Sequence, residues 1–156
     1  MRYFHVGKVV NDIDEAVARY GRLGLRFSRT RHVVTTYDVR GKLREVELLV
    51  TYSLEAPHLE LIQEIQGDVW NSAEETLDHL GMWSDDVAAD VVKYRQAGFE
   101  TVLSTPASVS PRPLVAYMVN SDRMYIELLS TVTRPDVEKW LRTSHRPGDY
   151  FEHKHE

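Results

Sequence analysis

The chain of 156 residues contains no cysteine. Disulfide frameworks and thiolate-held metals are thereby excluded, and any bound metal has to be held by imidazole and carboxylate. Positive charge is not in excess either. Nineteen Lys and Arg stand against 24 Asp and Glu, a formal charge of −5, which argues against a general binder of phosphate backbones and removes nucleic acid from the expected partners. No apolar run approaches the ~20 residues of a membrane-spanning helix, and the N-terminus lacks a signal-peptide pattern. The expectation is a cytoplasmic protein with no membrane partner. The length suits one compact domain, because halves of about 70 residues would each be marginal alone.

What the chain does have is a repeat. Phe4 to Phe27 lies over Asp78 to Thr101 without a gap at an offset of 74 (79 − 5 = 74). His5 falls on His79, Gly7 on Gly81, Asp12 on Asp86, Val17 on Val91, Tyr20 on Tyr94 and Gly24 on Gly98. A second echo comes late in each half, where Leu59-Glu60-Leu61-Ile62 matches Ile126-Glu127-Leu128-Leu129. Each half thus offers one His on an opening strand and one Glu on a closing strand. Two His and two Glu at duplicated positions form a candidate metal site.

The pattern of elements repeats as well. Tyr3 to Val10 reads as a strand. Asn11 or Asp12 caps a helix whose apolar residues Ile13, Ala16, Val17, Tyr20 and Leu23 recur at helical spacing, and Gly24 stops it. Strands follow at about 26–39 and 43–53 around an Arg40-Gly41-Lys42 turn, then from about His58 to Ile65. A short helix is expected over Ala73 to Leu77. The second module runs through a strand at about 78–84, a helix from Asp85 or Asp86 to Ala97, and strands at about 99–104, 113–119 and 124–131. Ser104 to Pro113 holds three of the six prolines and is expected as a loop beside the site. Val137, Trp140 and Leu141 predict a short amphipathic helix, and the tail from Ser144 is polar.

Alternation along strands sets which side chains share a face. His5 goes with Tyr3 and Gly7, His79 with Gly81 and Trp83, Glu60 with His58 and Ile62, and Glu127 with Tyr125 and Leu129. A carboxylate in so apolar a strand is costly to bury without a partner. Here the cost falls at two matched positions, and one cation would compensate both.

Paired β-α-β-β-β modules with a His on the first strand and a Glu on the last resemble the vicinal oxygen chelate superfamily, which includes glyoxalase I, methylmalonyl-CoA epimerase, extradiol dioxygenases and the bleomycin- and fosfomycin-resistance proteins. The resemblance covers about residues 3–131. It implies an α+β fold in which two tandem modules (about 3–65 and 78–131, within a domain of residues 1–134) form a curved mixed sheet that cups a metal. Residues 135–156 would be a C-terminal helix and polar tail. The implied ligands are His5, Glu60, His79 and Glu127, the set associated with bacterial-type glyoxalase I, whereas the epimerases typically carry Gln at the position of Glu60. A single divalent ion (Ni, Co, Mn, Zn or Fe) suits two imidazoles and two carboxylates.

The implied function is that of a metal-dependent isomerase or lyase acting on a small-to-medium carbonyl substrate. An open ion polarises a ketone and an adjacent oxygen, and a carboxylate removes the neighbouring carbon-bound proton. Glu127 is the first candidate for that base and Glu47 the second. Val46-Glu47-Leu48-Leu49 is similar to the segment where methylmalonyl-CoA epimerases carry an acidic base, while Glu45 beside it makes a plain exposed acidic face the alternative. The rival readings are a ring-cleaving dioxygenase and a non-catalytic binding or resistance protein of the same fold. The resemblance also implies a homodimer.

Two departures stand out. Asn120-Ser121-Asp122-Arg123 replaces the Asp-Pro-Asp-Gly-type turn of glyoxalase-like chains, and no convincing set of residues for the glutathione carboxylates is found among Arg2, Arg26, Arg112 and Arg123. Tyr3, Trp83, Tyr117, Met118 and Tyr125 near the expected cup favour a bulkier, less polar substrate, although Trp83 reads equally as plain core. Gly7 and Gly81 are expected to relieve crowding between close strands. Tyr20 and Tyr94 are expected to pack helix on sheet, and His58 to sit at the rim. His145, His153 and His155 read as part of a solvated tail rather than as a chelating cluster.

Overall fold

The computed structural model describes residues 2–66, 68–71 and 78–144. Its first module comprises β1 (Arg2–Val10), α1 (Ile13–Gly21), β2 (Arg31–Val39), β3 (Lys42–Tyr52) and β4 (His58–Gln63). The second comprises β5 (His79–Ser84), α2 (Val87–Gln96), β6 (Glu100–Ser104), β7 (Val115–Val119) and β8 (Tyr125–Ser130). A 3-10 turn (Thr131–Thr133) leads into α3 (Arg134–Thr143). The expected helix at 73–77 and the three tail histidines lie outside the described residues. Among the described residues no helix is long and apolar enough to cross a membrane.

The helix of each module begins as the residues dictate. Asp12 accepts from the Glu15 N–H at 2.8 Å and Asp86 from the Ala89 N–H at 3.0 Å, caps worth about 1 kcal/mol each. Gly24 and Gly98 follow the helices at φ of 90° and 86°, a left-handed conformation that favours glycine. α1 lays Ile13 and Ala16 on Phe27 and Leu61, and α2 lays Val87 on Ala116, Met118, Ile126 and Leu128. Tyr20 and Tyr94 pack in these two helix-on-sheet layers, as expected. Full burial of a side chain such as Leu61, with no exposed surface, contributes roughly 1.5–3 kcal/mol.

The eight strands form a barrel in the order β1-β4-β3-β2-β6-β7-β8-β5, with β1/β4 and β5/β8 parallel and the other pairs antiparallel. This is the expected curved mixed sheet of two tandem modules, and β2 reaches β6 to close it into a ring through Asp38↔Ser104 and Val39↔Leu103. The cause is a long β2–β3 hairpin, paired from Arg31↔Val50 to Val39↔Lys42. Arg40 and Gly41 turn it at φ of 50° and 84°, and Asp38 Oδ1 accepts from the Gly41 N–H at 2.7 Å.

Alternation then sorts the strands between two apolar layers. On β4, Leu59 and Leu61 face α1 while Ile62 enters the barrel; on β8, Ile126 and Leu128 face α2 while Tyr125 and Leu129 enter. The interior is dominated by aromatic and branched side chains, with Trp140 of α3 packed into it edge-on against Tyr52. The glutamates between these residues point inward with them.

Candidate metal centre

His5, Glu60, His79 and Glu127 converge inside the barrel, one from each of β1, β4, β5 and β8, all within a single chain. One donor atom from each lies within 4.8 Å of all the others. His5 Nε2 is 3.0 Å from His79 Nε2, 3.3 Å from Glu60 Oε2 and 3.1 Å from Glu127 Oε2. His79 Nε2 is 3.1 Å from Glu60 Oε2 and 3.5 Å from Glu127 Oε2. All four residues are at most 5% exposed.

Register explains the convergence. β1 and β5 are antiparallel with His5↔Gly81 and Gly7↔His79, and the parallel neighbours add Gly7↔Glu60 and Gly81↔Glu127. Each imidazole therefore lies over the glycine of the opposite strand. A Cβ on Gly7 would stand 1.9 Å from His79 Cε1, and one on Gly81 would stand 2.1 Å from His5 Cε1. Crowding relief was the expected role of both glycines; what they make room for is the opposite histidine ring.

Two tyrosines complete the arrangement, Tyr52, which the sequence did not single out, and Tyr117, which it placed near the cup without a role. Tyr52 donates its phenolic O–H to Glu60 Oε1, and Tyr117 is the corresponding neighbour of Glu127, its phenol pushed up by burial and by that charge. Each tyrosine stands across from its glutamate on the neighbouring strand, in the pairs Tyr52↔Glu60 and Tyr117↔Glu127. Each also sets its ring edge-on to a histidine, Tyr52 at 5.3 Å from His5 and Tyr117 at 4.9 Å from His79. A signal for them existed. Leu49-Val50-Thr51-Tyr52 echoes Leu114-Val115-Ala116-Tyr117, but at an offset of 65 (117 − 52 = 65) rather than 74. Tyr37 of β2 is a third buried phenol, and the charges of Glu127 and Glu60 reach it.

Other expectations are corrected. A bulge between Tyr3 and His5 puts Phe4 as well as His5 inside and leaves Tyr3 47% exposed. Met118 faces α2 rather than the interior. Trp83 is interior core against Phe4, with ring centroids 4.5 Å apart, and also lines a cavity of about 490 Å³ with Arg2, His58 and Arg134. His58 is half-buried at that rim, its Nδ1–H donated to Ser53 O at 2.7 Å. The proline-rich stretch after Ser104 shares a cavity with Asp85 to Ala88 at the start of α2. Glu47 is not brought to the centre. On β3 the residues Val46, Leu48, Val50 and Tyr52 point inward, so Glu47 points outward, its carboxylate 3.3 Å from His32 Nε2.

The electrostatics are those of a site that calls for positive charge. Burial alone would push His5 down, but the Glu60 charge and the adjacent Glu127 carboxylate outweigh it and hold its pKa above the usual value. The same competition raises His79 to about 10, where the adjacent Glu127 and Glu60 carboxylates overcome burial. Burial pushes Glu60 up, yet the charge of His5 and the closeness of both imidazoles take it well below the usual carboxylate range. For Glu127, burial and the Glu60 charge both push upward, and the adjacent imidazoles of His5 and His79 still win.

A divalent ion fits this set. Donor atoms 3.0–3.5 Å apart match adjacent ligands at bond lengths of about 2.0–2.2 Å, where the edge of the shell is about 3 Å. Glu127 Oε2 is buried at the centre with no hydrogen bond, an orphaned acceptor that an ion would satisfy. His5 Nδ1 is also buried without a partner, so this imidazole lacks the outer bond that metal-binding histidines usually make.

The model of the Glyoxalase/Bleomycin resistance protein/Dioxygenase superfamily matches residues 4–117. The chain belongs to that superfamily. Methylmalonyl-CoA epimerase from Mycobacterium tuberculosis is similar in structure, with a TM-score of 0.57 and 15% identity over 87% of this chain and 91% of that one. A variant of the Streptomyces coelicolor methylmalonyl-CoA epimerase in complex with 2-nitronate-propionyl-CoA has a TM-score of 0.50 and 14% identity over 94% and 99% of the two chains. A hypothetical protein from Bacillus halodurans has a TM-score of 0.50 and 13% identity over 83% and 94%. At these identities the likeness is one of fold. No curated protein matches the chain.

Proposed function

We propose that this member of the superfamily is a metal-dependent isomerase or lyase of glyoxalase–epimerase type, moving a proton on carbon next to a carbonyl of a small-to-medium substrate. The observation that supports it is the convergence of His5, Glu60, His79 and Glu127 donor atoms within 4.8 Å at a buried centre. A divalent ion held there (Ni, Co, Mn, Zn or Fe) would supply Lewis acidity to a carbonyl and an adjacent oxygen. The chain's own part is to hold and move the proton. Glu60 has both carboxylate oxygens engaged, Oε1 by Tyr52 and Oε2 by His79, and suits a ligand that stays in place. Glu127 has no protein hydrogen bond on Oε2, so it suits a ligand able to loosen and act as the general base, taking the carbon-bound proton and returning it to another face or the neighbouring carbon. The apolar interior around it suits a substrate of low polarity.

The test is deuterium wash-in from D2O with protein loaded with Ni²⁺, Co²⁺ or Mn²⁺, offered 2-oxo, 2-hydroxy-ketone and acyl-CoA compounds. Exchange at carbon is expected, and Glu127→Gln is expected to abolish it. A folded protein that takes up none of these ions would favour the non-catalytic binder. Normal exchange in Glu127→Gln would remove Glu127 from the mechanism.

A further inference from the structure

Four donors alone do not determine how each carboxylate meets an ion. A glutamate is able to offer one oxygen or both, and one oxygen can exchange for the other by rotation about its last bond. In this barrel the choice is restricted from outside. The Tyr52 hydroxyl holds Glu60 Oε1, so that Oε2 is the oxygen turned to the imidazoles, 3.1 Å from His79 Nε2 and 3.3 Å from His5 Nε2. In the second half Tyr117 stands directly across from Glu127 on the neighbouring strand, and Glu127 Oε2 is the oxygen that meets His5 Nε2 at 3.1 Å. Both tyrosines are buried, at 4% and 3% exposure, so water does not compete for their hydroxyls.

The same two rings also border the imidazoles. Tyr52 stands edge-on to His5 at an interplanar angle of 73°, and Tyr117 to His79 at 77°. One tyrosine per half therefore borders one histidine with its ring and stands across from one glutamate, and in the first half the hydroxyl bond to that glutamate is made. A feature built twice, from strands whose offsets differ, is tied to the centre and not to packing at one spot.

We propose that Tyr52 and Tyr117 are a matched pair of positioning residues, each holding the outer oxygen of its glutamate so that Glu60 and Glu127 present a single oxygen to a divalent cation. This rests on the reading of the four residues as a metal centre. One-oxygen ligation by both carboxylates leaves two positions of a six-fold shell for substrate oxygens. If either glutamate bound through both oxygens, one of those positions would be filled.

The test compares full-length Tyr52→Phe, Tyr117→Phe and, as a control, Tyr37→Phe with the unaltered chain. Phenylalanine keeps the ring and removes only the hydroxyl. Co²⁺ affinity is read by competition with a chromogenic chelator, and coordination by the visible absorption of bound Co²⁺. Loss of an outer-shell partner commonly costs 10–100-fold in metal affinity, and that loss is expected in Tyr52→Phe and Tyr117→Phe, with an altered Co²⁺ spectrum. Tyr37→Phe, whose ring contacts Trp70, is expected to leave both the affinity and the spectrum unchanged.

Unchanged affinity and spectrum in both variants overturns the proposal, as does an equal loss in Tyr37→Phe. If a variant does not fold, the carboxylate stretches of the unaltered Co²⁺ protein, labelled with 13C at glutamate, serve instead. A wide splitting between antisymmetric and symmetric bands marks one-oxygen ligation, and a narrow one overturns the pair. Failure of the unaltered chain to bind Co²⁺ at all is a different result, which removes the metal reading and this proposal together.

Discussion

The two halves of the barrel meet along two seams that are built very differently. At the first, β1 pairs with β5 from Arg2↔Trp83 to Gly7↔His79, and the rings of His5 and His79 occupy the space above Gly81 and Gly7. At the second, β2 and β6 share only Asp38↔Ser104 and Val39↔Leu103. The first seam cannot slip by one residue without turning both histidines out of the barrel and driving a side chain into a ring. The second carries no such interlock. Duplication supplies two joints between the halves, and the candidate centre sits on the one whose register is sterically determined.

The largest expected effect is on the charges that the first seam brings together. His79→Ala removes an imidazole that bonds Glu60 and faces Glu127, both buried. Breaking such a buried set leaves carboxylate charge uncompensated, at a cost of about 3–5 kcal/mol. Urea unfolding of the metal-free protein should show this loss, and metal uptake should vanish with it. A change below 1 kcal/mol would mean that the four groups are not electrostatically coupled.

Next comes the interlock itself. Gly81→Ala places a Cβ where the His5 ring now lies, 2.1 Å from Cε1, and overpacking of this kind costs about 1–3 kcal/mol. The double variant Gly81→Ala/His5→Ala removes the clash, so its two changes should be strongly non-additive in unfolding free energy. Additivity would show that the glycine is there for another reason.

A smaller difference separates the seams in the native state. Few paired positions mean a low free energy for local opening. Amide hydrogen exchange should therefore be faster at the second seam, for instance at the Arg40 N–H bonded to Val102 O at 3.1 Å, than at Val6 or Leu80 in the first. Equal protection at both would make the barrel a uniform ring and cancel the contrast.

Much of this was legible in the residues, for a definite reason. The modules are copies, and an offset of 74 aligned His5 with His79 and Gly7 with Gly81, while two apolar-glutamate echoes marked Glu60 and Glu127. The caps at Asp12 and Asp86 and the turn at Arg40-Gly41 follow from local chemistry. What escaped depends on chain geometry that strict alternation does not contain. The bulge at Tyr3/His5 let Phe4 and His5 point the same way. Tyr52, and its pairing with Tyr117, escaped because the second module is nine residues shorter between its opening strand and this position (74 − 65 = 9), which hid the Leu-Val-x-Tyr echo from a single offset. Closure through β2 and β6 depends on how far two strands extend, and their composition is silent on that.

The smallest expected effect concerns a carboxylate that the resemblance favoured and the register excludes. Counting from Tyr52, whose hydroxyl reaches Glu60, every second residue of β3 enters the barrel, and Glu47 is an odd number of positions away. Its side chain is 71% exposed and its neighbour His32 is 55% exposed, 3.3 Å apart. Solvent screens such a pair, so Glu47→Gln should shift stability by no more than about 0.5 kcal/mol. It should also leave Co²⁺ affinity and deuterium exchange as they are in the unaltered protein, because a group on the outer face cannot reach a substrate proton inside. Loss of exchange in this variant would require β3 to pair one residue out of register. Val46, Leu48 and Val50 would then face solvent, which makes the point substitution a test of the barrel's register as much as of the base.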